Sequence, residues 1–135
     1  MKVEIGPYPG TGTRHAKSDG RTPTGRPKRE VSVEIHDHDT WSADFTLALV
    51  AAPLLRYFRD EAGGRHAIGS TDPQDFPETG DPAQTHDADR WSKLLDELVW
   101  TFEEIAKDDL MDRATETRVQ NGLYLFGKYY RCLWT

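Results

Sequence analysis

Asp39-Thr40-Trp41-Ser42-Ala43-Asp44-Phe45-Thr46-Leu47-Ala48 sets two carboxylates, three hydroxyls and a Trp at the entrance of an otherwise apolar helix. Immediately before it, Glu30-Val31-Ser32-Val33-Glu34-Ile35-His36 alternates polar and apolar, with Val31, Val33 and Ile35 on one face. Lys2-Val3-Glu4-Ile5 alternates in the same way until Gly6-Pro7 stops it. The two segments read as strands that pair. Beyond the junction a first helix is expected from Trp41 or Ser42 to about Asp60, ending before Gly63-Gly64. Pro53 lies inside it, and its missing N–H and ring clash predict a kink or a split.

A second helix, about 90 to 107, places Trp91, Leu94, Leu95, Leu98, Phe102 and Ile105 on one stripe. Asp96 and Trp100 stand one turn apart on its other side with Glu97 on the flank, so a second surface is expected to cover Trp100. A third helix, about 113 to 134, carries Val119, Leu123, Phe126, Tyr130 and Leu133 on one stripe, with Leu125, Tyr129 and Cys132 beside it. Gly122 and Gly127 are costly inside a helix, so each predicts a close backbone approach or a break. The expected architecture is α+β and mainly helical: about three helices packed with a small N-terminal two-stranded sheet, in a single domain spanning 1–135. Two irregular stretches interrupt it, a basic Gly/Pro-rich loop at 9–29 and an acidic excursion at 63–88.

The net charge of −6 conceals an asymmetry. Residues 10 to 29 hold six bases against Asp19 alone, a local +5, whereas residues 60 to 116 hold sixteen acids and five bases, a local −11. A basic arm beside an acidic body could meet nucleic acid through Arg26, Lys28 and Arg29, but residues 10 to 29 offer no aromatic to stack a base, and nucleic-acid binding is not expected. The one cysteine, Cys132, excludes an internal disulfide and a Cys-based zinc site. The longest apolar run, Leu47 to Leu55, is far shorter than the ~20 residues of a membrane span, and Met1-Lys2-Val3-Glu4-Ile5 lacks a signal-peptide core, so a soluble, unexported protein is expected.

Three constellations could carry chemistry. Glu34, His36 and His38 share one face of the second strand by its two-residue alternation, and a His-x-His with a carboxylate could begin a zinc site. Asp39 and Asp44 bracket the helix entrance, where a cap and the helix dipole account for Asp39. With Asp96 and Glu97 these acids could instead form an oxygen cage for Mg or Mn that activates water for phosphoester or nucleotide hydrolysis. Asp44 needs a partner in any case, for which the last helix offers Lys128 or Arg131, and an ion pair to Lys128, direct or through Tyr129, is the expectation. No phosphate-binding Gly loop, dinucleotide fingerprint or serine-nucleophile elbow is present.

The segments Ile5-Gly6-Pro7-Tyr8, Asp39 to Ala48, Asp75-Phe76-Pro77-Glu78, Trp91 to Glu97 and Leu125-Phe126-Gly127-Lys128-Tyr129-Tyr130 together resemble a family of small uncharacterised proteins of tailed bacteriophages. The resemblance carries no catalytic activity, and it selects Asp39, Trp41, Asp44, Asp96, Glu97, Lys128 and Tyr129 as the residues of a site. Within that setting, the acidic surface, the Trp100 side and the absence of a catalytic signature lead to the expectation of an accessory protein that acts through contacts with a phage or host protein, as a minor virion or assembly component or as a binder of a host factor. Trp41 and Trp100 are the binding candidates, a homo-oligomer is a further possibility, and the place of action is the host cytoplasm during infection or the virion. No cofactor is expected on this reading.

Overall fold

A computed structural model describes residues 1–6, 30–64, 70–77 and 87–133. The basic segment at 9–29, with Arg26, Lys28 and Arg29, lies outside the described residues, as do Pro7, Tyr8, Glu78 and Trp134. The chain forms two compact units, Met1–Ser42 and Ala43–Thr135. The described elements are three α-helices and one two-stranded sheet, a mainly helical α+β fold.

In the first unit, β1 (Lys2–Ile5) and β2 (Val31–Glu34) pair antiparallel, with Val3 opposite Val33 and Ile5 opposite Val31. Because alternate side chains share a face, this register collects all four β-branched residues on one side and leaves Lys2, Glu4, Ser32 and Glu34 on the other. On the apolar side, as on the other, every strand residue is exposed. A ribbon of two strands is marginal in water by itself, so it depends on whatever meets that face. β2 is shorter than its alternating pattern, ending at Glu34 where a 3-10 turn over Asp37–Thr40 takes over.

In the second unit, α1 (Ala43–Asp60), α2 (Asp87–Ile105) and α3 (Arg113–Tyr129) form a bundle in which α2 packs on both of the others. The α2 stripe is as its spacing demands: Trp91, Leu94, Leu95 and Leu98 are fully buried and Phe102 nearly so. α1 contributes Ala48, Ala52 and Leu55, and it runs through Pro53 without a split. Pro53 and Leu49 both lie on the exposed side of the helix, where the N–H that Pro53 lacks costs least because solvent can serve the freed carbonyl. The chain leaves α1 through Gly63 at φ 77°, a left-handed conformation that a side chain resists. Gly64 follows with its N–H on the Phe58 carbonyl at 2.9 Å, and its own carbonyl accepts the Trp91 indole N–H at 2.7 Å.

α3 differs from its sequence pattern. Its buried stripe is Val119, Gly122, Leu125 and Tyr129, while Leu123 and Tyr130 are exposed. The rotation follows from Gly122, the one position where α3 can press its backbone against Thr101 of α2. Gly127, by contrast, faces open space and marks neither a close approach nor a break. The helix ends at Tyr129, with a 3-10 turn over Tyr130–Cys132. Asp112 caps its start by accepting the Thr115 N–H at 2.7 Å. The acidic stretch between α1 and α2 is not all surface, since its described part buries Thr71 and Phe76 in the bundle.

Candidate functional site

Tyr129 organises the polar end of the bundle. Because Leu125 and Tyr129 follow one another by a turn on the buried stripe, the phenol is carried to the 70–77 segment. Its hydroxyl accepts the Asp72 N–H at 2.8 Å and donates to Asp75 Oδ2 at 2.5 Å. Asp72 in turn accepts the Gln74 N–H at 3.0 Å and opens the short turn Pro73–Asp75. Lys128 Nζ lies 2.7 Å from Asp75 Oδ2 and 3.3 Å from Asp72 Oδ2. Burial first, and then the bond to Asp75, push the Tyr129 phenol above its ordinary value. The same Asp75 carboxylate raises Lys128, while the Gln74 N–H, aided by Lys128, holds Asp72 below the usual carboxylate range.

This network corrects the expected Asp44–Lys128 pair. Lys128 is drawn to the segment that Phe76 anchors at the C-terminal end of α3, and Asp44 lines a separate groove with Glu116 and Gln120 from the helix's N-terminal half. Beside the Tyr129 network a cavity of about 440 Å³ opens, walled by Asp75, Lys93, Asp96, Glu97 and Asn121 over Phe76 and Leu125. Asp96 and Glu97 thus share one cavity, and Asp44 lines another. Guanidinium groups meet both acids: Arg59 of α1 lies 3.2 Å from Asp96, and Arg118 of α3 grips Glu97 with two bonds of 2.8 and 2.9 Å. Their observed role is to tether α1 and α3 to α2. Arg118 also lies over the Trp100 ring, 3.6 Å from its centroid, so the cover expected for Trp100 comes at least in part from α3.

In the first unit, Asp39 accepts the N-terminal ammonium at 2.8 Å and the His36 N–H at 2.8 Å. These bonds, the ammonium foremost, hold its carboxyl below the ordinary range, and Asp39 serves the 3-10 turn rather than the first turn of α1. The same turn removes His38 from strand register with Glu34: the His38 ring stacks 4.4 Å from Trp41, and only Glu34 and His36 approach one another, at 3.9 Å. Trp41 remains largely exposed. Among the described residues, no group of three or more His, Cys, Asp or Glu side chains is arranged to hold a metal ion.

One surface feature escaped the sequence motifs. On α1, Leu47, Leu49, Val50, Pro53, Leu54 and Tyr57 form one continuous arc that is exposed from end to end, opposite the arc buried on α2. An α-helix apolar on every side normally has both sides covered. Its signal was present in the run Leu47 to Leu55, which is too apolar for a helix with one wet face. At the N-terminal end of this arc, Leu47 also enters the Asp44 groove, a cavity of about 420 Å³ between α1, the end of α2 and α3. No helix among the described residues is long and apolar enough to cross a membrane.

The chain matches no protein-family model, no curated protein and no solved structure.

Proposed function

We propose that the protein is a non-enzymatic phage accessory protein that acts by binding another protein through the outer face of α1. The observation that carries this reading is the exposed arc Leu47, Leu49, Val50, Pro53, Leu54 and Tyr57. Contiguous apolar surface of this kind is rare on a monomer and marks an interaction site. The exposed β-branched side of the β1–β2 ribbon points the same way, and the resemblance to small proteins of tailed phages supplies the setting, in a virion, an assembly intermediate or the infected cytoplasm. The partner presents an apolar face of its own, because any polar group pressed onto this arc would be desolvated without a hydrogen-bond partner.

A photoreactive residue placed at position 54 during infection tests the idea, with the same group at the exposed position 114 on α3 as the reference. A single stoichiometric adduct from position 54 alone, abolished by Tyr57→Glu, is the expected result. Adducts with a second copy of the chain would assign the face to self-association instead. Equal labelling from both positions, or none, removes the reading. The hydrolase alternative, with Asp39, Asp44, Asp96 and Glu97 around Mg or Mn, has no specific observation in its favour, since Asp96 and Glu97 each meet an arginine in a cavity that Asp44 does not line.

A further inference from the structure

The groove that Asp44 lines differs from the α1 arc in one decisive respect, its charge. Phe45, Phe102, Ile105, Val119, Leu123 and Phe126 make an apolar floor. Asp44, Asp108, Asp109 and Glu116 stand at its edge, all exposed, and among the described residues no Lys or Arg lines it. Each of the three helices contributes, and along α3 the lining runs from Glu116 to Phe126, about 15 Å of helix at 1.5 Å per residue. An apolar trough of that length is matched by two to three turns of a helix lying in it with side chains at i, i+3, i+4 and i+7. Four carboxylates around the trough oppose an acidic or neutral visitor and attract a basic one, both in encounter and in the bound state.

We infer that this groove binds a cationic amphipathic helix of another protein, with the apolar stripe on the Phe102–Phe126 floor and Lys or Arg side chains meeting Asp44, Asp108, Asp109 and Glu116. The inference rests on the reading that the protein works through protein contacts, and it adds the chemistry of the segment recognised. Phe126 is suited to the floor because its ring is already held edge-on by Phe102 at 4.8 Å and by Tyr130 at 5.3 Å, so little side-chain freedom is lost when a ligand covers it.

The test uses the full chain and a fluorescein-labelled peptide of Leu and Lys, about four helical turns long, with Leu on one stripe. Anisotropy titrations at about 0.15 M salt are compared with a peptide of the same composition whose Leu positions are scrambled, and with a Leu/Glu peptide of the same pattern. The amphipathic Leu/Lys peptide should bind one to one, at least about tenfold tighter than either control. Combining Asp108→Asn, Asp109→Asn and Glu116→Gln should weaken it by about tenfold or more and flatten its salt dependence. Leu123→Ser should weaken it comparably at unchanged salt dependence, and Leu54→Glu on the outer arc should leave it unaltered. All these positions are exposed, and far-UV circular dichroism checks that each variant folds. Equal binding of the scrambled peptide would reduce the effect to bulk charge and overturn the proposal, as would groove variants that bind like the parent. Loss of binding in Leu54→Glu would move the peptide to the outer arc, overturning the groove while leaving the protein-contact reading in place. Failure of all three peptides to bind likewise overturns the groove alone, because the position 54 adduct reports on the broader reading independently.

Discussion

A Cβ atom built on Gly122 would lie 1.8 Å from Thr101 Oγ1 and under 3 Å from the Thr101 Cβ and Cγ2. The Thr101 side chain cannot swing aside freely, because its hydroxyl donates to the Glu97 carbonyl at 2.7 Å and the residue is fully buried. Contact between α2 and α3 is therefore backbone against side chain at this point. Gly122→Ala is expected to lower stability by about 2–3 kcal/mol through overpacking, despite Ala's better helix propensity. Gly127→Ala, with nothing within 4 Å of the new methyl, is expected to raise it by about 0.5–1 kcal/mol. Urea midpoints of the two variants moving in opposite directions would check both; a neutral Gly122→Ala would remove the close approach from the account of the bundle.

Tyr129 and Lys128 make stability fall at alkaline pH. The folded state raises the Tyr129 phenol above 10.0 and Lys128 above 10.5, so each contribution is fully present below that value and is lost as the pH climbs through the raised folded one. Denaturation followed upward from about pH 9 should show stability level to about pH 10 and declining beyond it, and Tyr129→Phe should flatten part of that decline. At neutral pH the same variant should cost about 1–3 kcal/mol, because the Asp72 N–H and Asp75 lose a buried partner.

At acid pH the direction reverses for Asp72 and Asp112. Each is held below its ordinary value of 3.8, Asp72 by the Gln74 N–H first and Asp112 by the Thr115 N–H. Their contributions are present above 3.8 and are lost as the pH falls through the lowered folded values. Asp72→Asn and Asp112→Asn should each make stability less sensitive to pH below about 4, with thermal melts across that range as the measurement.

Lys128 couples to Asp75 and not to Asp44. In double-mutant cycles, Lys128→Met with Asp75→Asn should be strongly non-additive, and Lys128→Met with Asp44→Asn additive. Additivity in the first cycle would contradict the observed network.

Asp108 carries a φ of 55°, a left-handed conformation in which Gly is more comfortable, at the edge of the groove. Asp108→Gly should therefore stabilise the bundle by roughly 0.5–1 kcal/mol while weakening the cationic peptide. A gain in both would mean that the carboxylate has no part in the groove.

The covalent pattern alone was enough for the architecture. Alternation in Lys2–Ile5 and Val31–Glu34 implied the ribbon, the stripe from Trp91 to Phe102 implied the central helix, and Gly63-Gly64 placed the end of α1, because these are local periodicities and local backbone preferences. The residues that the sequence motifs singled out were legible as unusual but not by role. Asp96 and Glu97 read as candidate metal ligands and Lys128 as the partner of Asp44, and they became tethers of other kinds only when Arg59, Arg118 and Asp75 arrived from elements 37, 21 and 53 residues away. Spacing put Leu123 and Tyr130 on the core stripe of α3, and the structure buries Leu125 and Tyr129 instead, because Leu123 and Leu125 are comparable hydrophobes until Gly122 meets Thr101. Partner choice among charges and the rotation of a helix are long-range packing outcomes. They depend on distances between segments, and a one-dimensional pattern does not contain those distances.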